Sequence, residues 1–399
     1  MNRRERFRKY MARLSPSAPW GMLDESLYVP RPDAQLSDQI ARRLEIDPVS
    51  THLLVGGIGS GKTTQLLMVK HQLQTTPDVI AMYIDVAERQ DLNELKPGVL
   101  VALVGLALID LLSAPQPEVQ QAAERFKSWA LGSVTWVTVP GRPPYLQPFD
   151  PYLGAPERRR VEKKGVLTPS KGPLKQELQD RMADIAVLRQ SIAPHDHYLV
   201  VLFDSLDRLN TSGPFLQLLQ EDVRALRASN IGSVLVGPLM ILFGPDRQAT
   251  DAFGALHHLP SVDIDSDVGR RFLKDVLARR STPDSLAADA LDGLVDVSGG
   301  VIRDLLSITR NAFEQAYISG ADRVELVHVT RAAETFGRTL ILGLGNEELA
   351  TLRRVVDTRE FVPTSDKDMA LLLNRRILEY VDGTNRYAVH PSLKPLLVK

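Results

Sequence analysis

Residues 53–67 read Leu-Leu-Val-Gly-Gly-Ile-Gly-Ser-Gly-Lys-Thr-Thr-Gln-Leu-Leu, and the fold is decided here. Gly56, Gly61, Lys62 and Thr63 fit the pattern G-x-x-x-x-G-K-[ST], a loop that passes from a strand into a helix while its backbone N–H groups surround phosphates. The apolar run at 52–55 feeds the loop, and an amphipathic stretch at 63–73 leaves it, so the context is right as well as the motif. Gly56, Gly57, Gly59 and Gly61, with Ser60 among them, let the N–H groups turn inward, and the helix that follows points its positive end at the same place. Lys62 is then expected on the β- and γ-phosphates, the Thr63 hydroxyl on Mg²⁺ and Thr64 near the α-phosphate. The stretch predicts a nucleoside triphosphate site.

Composition sets the outer bounds. At 399 residues the chain is too long for one core. It is 44% apolar and 24% charged with net charge −1, which gives no global field toward nucleic acid or membrane. It has no cysteine, so disulfides and thiolate metal sites are excluded. The longest apolar run, 99–109, is interrupted at Asp110 and too short to span a bilayer. The opening residues are charged with no apolar stretch behind them, unlike a secretory signal. The expectation is a cytoplasmic protein without membrane contact.

Outward from the loop, residues 1–27 form a basic arm in which Phe7, Tyr10, Met11 and Leu14 recur at helical spacing. It reads either as an amphipathic helix packing on its own ATPase domain or as a docking arm for a partner or a nucleic-acid backbone. Tyr28, Val29 and Arg31 are candidates for packing on the base. An apolar run at 79–86 predicts a second strand. Residues 114–172 carry many prolines, Trp129 and Trp136, and a basic cluster from Arg158 to Lys171. They read as an insertion, either a lid or docking loop or an excursion without chemistry. The run at 198–203 ends in Asp204, and a buried strand ending in a carboxylate downstream of a phosphate loop is the pattern of the Mg²⁺ aspartate. Asp207 either orients the attacking water, supports Mg²⁺ or caps the next helix. Strands are expected at 231–236 and 259–264. Helices at 268–280, 286–297, 301–318 and 324–335 would make a small lid. Helices at 347–356 and 366–374 precede a hairpin at 377–381 and 386–390, the pattern of a winged helix.

With these motifs in place the chain resembles the AAA+ and STAND branch of P-loop ATPases over residues 28–399. The resemblance is carried by Gly-Gly-Ile-Gly-Ser-Gly-Lys-Thr-Thr, Leu-Phe-Asp-Ser-Leu-Asp-Arg, Ser298-Gly-Gly-Val-Ile-Arg303-Asp-Leu-Leu and the closing Leu378-Glu379-Tyr380 and Val389-His390-Pro391. It implies an α/β fold, a P-loop NTPase parallel sheet with helices on both faces, followed by an α-helical lid and a winged helix. The implied domains are a core at 28–265, a lid at 266–338 and a winged helix at 339–399. It also implies ATP/ADP and Mg²⁺ as ligands, with Lys62, Asp204, Asp207 and Arg303 in catalysis and Thr63 and Asp204 on the metal. Arg303 would touch the γ-phosphate, and His390 would touch ADP phosphates in the resting state, although both its neighbours depart from the STAND triplet. Such chains include prokaryotic stand-alone ATPases associated with defence.

Two departures slow the expected chemistry. Ser205 stands where AAA+ motors have a water-activating glutamate, and 231–236 runs into Gly237-Pro238 with no polar sensor residue. The arginine finger is open among Arg270, Arg271, Arg279 and Arg280. The reading is a slowly hydrolysing nucleotide switch controlling self-association or a partner effector. The alternatives are a DNA-binding AAA+ ATPase of initiator or loader type, and a nucleotide-binding scaffold. For DNA speak the basic arm, the basic insertion and the winged helix itself; against it stand the near-neutral net charge and the acidic start of the helix at 366, although Arg375 and Arg376 follow.

Overall fold

Five short runs rich in branched side chains form one parallel sheet: β1 (Thr51–Gly56), β2 (Val79–Asp85), β3 (Tyr198–Asp204), β4 (Ile231–Val236) and β5 (Ala255–Leu259), in the order β2-β3-β4-β1-β5. The structure is a computed structural model and describes residues 2–15, 24–32, 35–113, 115–131, 174–192, 197–243, 250, 251, 253–382 and 384–397. Near-continuous apolar runs are what a parallel sheet buried on both faces requires. On one face Leu54, Val200, Leu202, Val234 and Val236 pack against Ile40 and Leu44 of helix α2 (Gln35–Ile46) and Leu66, Val69 and Leu73 of helix α3 (Lys62–Leu73). The alternate residues Leu53, Val201, Phe203 and Leu235 are buried as well.

The chain divides into two compact units, Met1–Asp85 with Tyr198–Phe215 and Ile231–Lys399, and Val86–His197 with Leu216–Asn230. The second unit holds α4 (Val86–Arg89), α5 (Val99–Asp110), α6 (Pro117–Leu131) and α7 (Leu174–Ile192). Helix α8 (Ser212–Leu218) runs into it from the first unit, and α9 (Arg224–Ala228) closes it. Helix α5 is apolar on every side and wholly helical, as its sequence predicts. Its first turn is capped from a distance. The buried Asp222 carboxylate accepts the N–H groups of Gly98 (2.6 Å), Leu100 (2.7 Å) and Val101 (3.4 Å), so the orphan donors of the helix start find an acceptor. The expected insertion begins with α6, where Trp129 is buried; Trp136 and the basic cluster from Arg158 to Lys171 lie outside the described residues.

The first unit continues past the sheet with a helical lid, α10 (Asp267–Ala278), α11 (Ala288–Ser298), α12 (Ile302–Ile318) and α13 (Leu326–Ile341). Then come α14 (Asn346–Thr358), α15 (Asp366–Leu373) and the antiparallel hairpin β6 (Ile377–Asp382) and β7 (Thr384–Val389), a winged helix around Leu352, Phe361, Leu371 and Tyr387.

Two expectations change. The strand expected at 259–264 lies earlier, at Ala255–Leu259. Pro260 has no N–H for a ladder, and Val262 instead packs into the lid core while its N–H bonds Gly300 O. The basic arm is a lid element. In α1 (Arg3–Arg13), capped by an Asn2–Glu5 box, Phe7 and Tyr10 are buried, with Leu14 beyond it, among Phe272, Leu294 and Phe313. Arg3 donates to the carbonyls of Ala316, Tyr317 and Ala321, satisfying the C-terminal end of α12. The arm therefore packs on the lid rather than on the sheet domain, and Arg3 and Arg6 serve that packing.

Candidate functional site

The loop between β1 and α3 is held in shape by two glycines with positive φ, Gly59 (+83°) and Gly61 (+101°), a conformation that costs a side chain about 1–2 kcal/mol. Lys62, the first residue of α3, is only 4% exposed. Its Nζ donates to Gly56 O and Gly57 O at 2.9 Å each and lies 2.9 Å from Asp207 Oδ2. A buried ammonium with three oxygen neighbours is compensated, and these are the interactions a phosphate would have to replace. Asp207 sits in the turn Leu206–Arg208, ahead of α8, and its partner is Lys62 rather than a helix start.

Asp204 ends β3, two strand spacings from β1 because β4 lies between them. Its carboxylate accepts Tyr83 Oη (2.8 Å) and the Ser205 N–H (2.7 Å), and the Thr63 hydroxyl also bonds it. Burial pushes this carboxyl above its ordinary range while those three hydrogen bonds pull it down. The sequence therefore brings Thr63 and Asp204 together, hard oxygen donors of the kind Mg²⁺ takes. Ser205 follows at φ +72°, buried, a left-handed backbone held by a residue other than glycine. Gly237 explains the missing sensor side chain after β4: a Cβ there would lie 2.6 Å from Leu53 Cδ1 and 2.8 Å from the Phe215 ring.

Of the candidates for packing on the base, Arg31 reaches the loop itself. Arg31 is buried and donates to Ser60 O (2.7 Å) and to Pro260 O (3.0 Å), lashing the loop to the end of β5. Tyr28 hydrogen-bonds the Gln65 side chain, and Val29 packs on the lid core. Thr64 is half-buried in the first turn of α3.

From the other side the lid touches the loop at Gly59. The Arg303 N–H approaches Gly59 O at 3.4 Å, and a Cβ on Gly59 would stand 2.6 Å from Arg303 Cβ. The guanidinium of Arg303 is held below its ordinary value, first by loss of water around it and then by the charges of Arg375 and Arg208, although the side chain as a whole remains exposed. The winged helix closes over the same loop. Leu372, Arg375, Ile377, Leu378 and Glu379 face Gly57, Ile58, Ser60 and Val301 across a cavity of about 20 Å³, room for a water molecule. The hairpin is sutured down: Glu379 O accepts Ser261 N–H (3.1 Å), Tyr380 Oη donates to Gly299 O (2.8 Å) and Arg386 pairs with Asp263 (2.6 Å).

His390, which the resemblance places at the ADP phosphates, is enclosed beside Asp304 of α12. It has no exposed surface, accepts Ser392 N–H at Nδ1 (3.2 Å), and lies with Nε2 3.5 Å from Asp304 Oδ2. Its neighbour is the residue after Arg303. Of the finger candidates, Arg270 is committed to Asp292 and Asp296 and Arg280 to Leu27 O and Val276 O, while Arg271 and Arg279 are exposed. Arg376 is spent on Leu340 O and Leu342 O, and Arg375 on Asp304, so neither is a free basic flank for the helix at 366. Sequence reasoning gave no role to Tyr83, nor to Asp304 and Glu379, although the last two lie within the quoted motifs. Tyr83 had a readable signal, since it lies two residues before the end of a strand that pairs Asp85 with Asp204; the other two depend on contacts across long stretches of chain.

No family model matches the sequence, and no curated protein matches it. Among solved structures the chain is similar to the Aeropyrum pernix ORC2 protein in its ADPNP–ADP complexes (14% identity, 94% of this chain and 98% of that one, TM-score 0.47). It is similar also to the Aeropyrum pernix ORC1 protein in complex with DNA (15%, 95% of each chain, TM-score 0.47) and to Cdc6p from Pyrobaculum aerophilum (16%, 97% and 96%, TM-score 0.43). The fold assignment rests on this chain's own sheet order and phosphate loop.

Proposed function

We propose that this chain is an ATP-binding, slowly hydrolysing nucleotide switch of the AAA+ type, in which loop, lid and winged helix respond together to the phosphates. The observation that carries the reading is the joint placement of Lys62 at the start of α3 and of the Thr63 hydroxyl on Asp204. Lys62, the loop N–H groups and the helix start would hold the triphosphate. Thr63 and Asp204 would hold Mg²⁺, which neutralises phosphate charge when bound. Tyr83 and Ser205 N–H keep the Asp204 carboxylate oriented, and Arg303 supplies a cation from the lid side. Slow turnover fits Ser205 in the water-activating position and Asp207 drawn to Lys62. Because lid and winged helix both reach the loop, a nucleotide that favours one arrangement would expose or cover surfaces for self-association or an effector protein.

Phosphate release with ATP and Mg²⁺, beside Lys62→Ala and Asp204→Ala and with sizing under each nucleotide, tests this. Slow turnover lost in both variants, with nucleotide-dependent assembly, supports the switch. Fast turnover from a constant oligomer indicates a motor, and binding without turnover a scaffold.

A second reading, contact with a nucleic-acid backbone, is favoured by the exposed side of α1, where Arg4, Arg8, Lys9 and Arg13 stand. Binding of duplex DNA that weakens steeply with salt and is lost in Arg4→Glu/Arg8→Glu would support it. No binding at low salt would end it.

A further inference from the structure

Arg303 and Asp304 are successive residues on α12, and they serve different neighbours. Arg303 lies against Gly59 of the phosphate loop. Asp304 is 1% exposed and faces the winged helix, where Arg375 Nη1 stands 2.8 Å from Oδ1 and His390 Nε2 3.5 Å from Oδ2. Because His390 Nδ1 accepts the Ser392 N–H, the neutral ring carries its proton on Nε2 and aims it at Asp304. At 3.5 Å the histidine pair is not closed, and the Arg375 contact is an ion pair only: among the described residues His390 Nε2, Asp304 Oδ2 and Arg375 Nη1 and Nε all lack a hydrogen-bond partner. Arg375 itself is held at φ +59°, shortly after α15, and its charge acts on Arg303 as well as on Asp304.

A buried carboxylate tolerates the loss of its partners poorly, and packed interfaces shift between discrete arrangements rather than deforming continuously. We propose that Asp304, ion-paired with Arg375 and faced by His390, is the point through which the winged helix positions Arg303 against the phosphate loop. The three are positioning residues. When the winged helix shifts, Asp304 loses or regains its partners, the start of α12 moves, and Arg303 is withdrawn from or returned to the phosphate furthest from the ribose. This rests on the nucleotide site of the preceding section and adds to it the route by which a distant domain changes nucleotide preference.

The test measures equilibrium binding of fluorescent ADP and of a fluorescent, non-hydrolysable ATP analogue with Mg²⁺, in the full chain. The variants are Arg303→Ala, Arg375→Ala, Arg375→Lys, His390→Gln and the double variant Arg303→Ala/Arg375→Ala, each checked for an unchanged melting transition. Arg303→Ala is expected to reduce the ATP-to-ADP preference about tenfold, mainly by weakening the ATP analogue. Arg375→Ala should reduce it several-fold, with Lys restoring part and Gln at 390 retaining most. The double variant should be no worse than Arg303→Ala, because one residue acts through the other. Equal weakening of both nucleotides by Arg375→Ala, or multiplied effects in the double variant, would mean that Arg375 merely braces the winged helix. A loss in Arg303→Ala with none in Arg375→Ala would also overturn the proposal. A wild-type chain that binds neither nucleotide overturns the phosphate site itself, and one that binds both alike removes Arg303 as a sensor, and with each the relay falls too. If Arg375→Ala fails to fold, Arg375→Lys carries the same comparison, its partial loss expected to fall on the ATP analogue and its equal weakening of both nucleotides overturning the proposal.

Discussion

Replacing Asp207 by asparagine should make this chain bind nucleotide more tightly while turning it over more slowly. Asp207 Oδ2 lies 2.9 Å from Lys62 Nζ, with Asp207 mostly and Lys62 almost wholly withdrawn from water. At an effective dielectric constant near 20, two unit charges at that separation attract by about 6 kcal/mol. The cost of holding both out of water returns most of this, so the net hold of Asp207 on Lys62 is on the order of 1–2 kcal/mol. A phosphate must displace that hold. Removing the negative charge while keeping the shape should therefore raise affinity for ATP and ADP alike by about tenfold. Lys62 retains the Gly56 and Gly57 carbonyls, so the loop should keep its form. Titration of fluorescent ADP, with and without Mg²⁺, gives the affinity, and single-turnover phosphate release gives the chemical step. An Asp207→Asn chain that binds no tighter than the native one would refute the competition argument. Tighter binding with undiminished turnover would leave Asp207 as a counterion with no part in hydrolysis.

At the opposite end of β1, His52 Nδ1 bonds His257 Nε2 at 3.0 Å, and burial lowers both histidines to about 4. An unfolded histidine takes its proton near 6.5, so the pair's contribution is full above that value and is lost as pH falls toward 4. The slope is about 1.4 kcal/mol per pH unit for one histidine, which removes about 2 kcal/mol by pH 5. Urea midpoints at pH 7 and pH 5 should move less in His257→Gln than in the native chain, and equal movement would contradict this account. Gly59→Ala forces a left-handed backbone on alanine and drives its Cβ into Arg303, so it should cost at least about 1–2 kcal/mol and weaken nucleotide binding, read by melting and titration. Asp222→Ala leaves two or three buried N–H groups of α5 without their acceptor, a loss of roughly 1–3 kcal/mol, and amide exchange should rise first in the opening turn of that helix.

What could be read from the sequence was local. The phosphate loop, the strand ending in Asp204 and the apolar α5 each announce themselves within a dozen residues. β5 did not, because its core positions include His257, whose burial is made tolerable by His52, a residue some two hundred positions away. An apolar pattern cannot register a polar group whose partner is that remote. The arm at residues 3–13 showed its amphipathic stripe, yet nothing in the stripe says which surface it covers; Ala316, Tyr317 and Ala321 supply the answer through their carbonyls. Arg375 and Arg376 looked like a basic flank for the helix before them. Their charge was legible, and its engagement by Asp304 and by the carbonyls of 340 and 342 was not.

The sheet order also sets a timetable for synthesis. β1 is made early, but both its neighbours, β4 and β5, come about 180–200 residues later. At translation rates of about 5–20 residues per second, β1 waits roughly 10–40 s for either. The parts that pin the phosphate loop arrive later still: Pro260, whose carbonyl receives Arg31, and Arg303, against which Gly59 closes. The segment 86–197 emerges in the meantime and itself waits for 216–230, the other part of its unit, while β1 remains an apolar strand with both edges bare. A chain stopped short of residue 231 would carry the whole phosphate motif without the strands that flank it on either side.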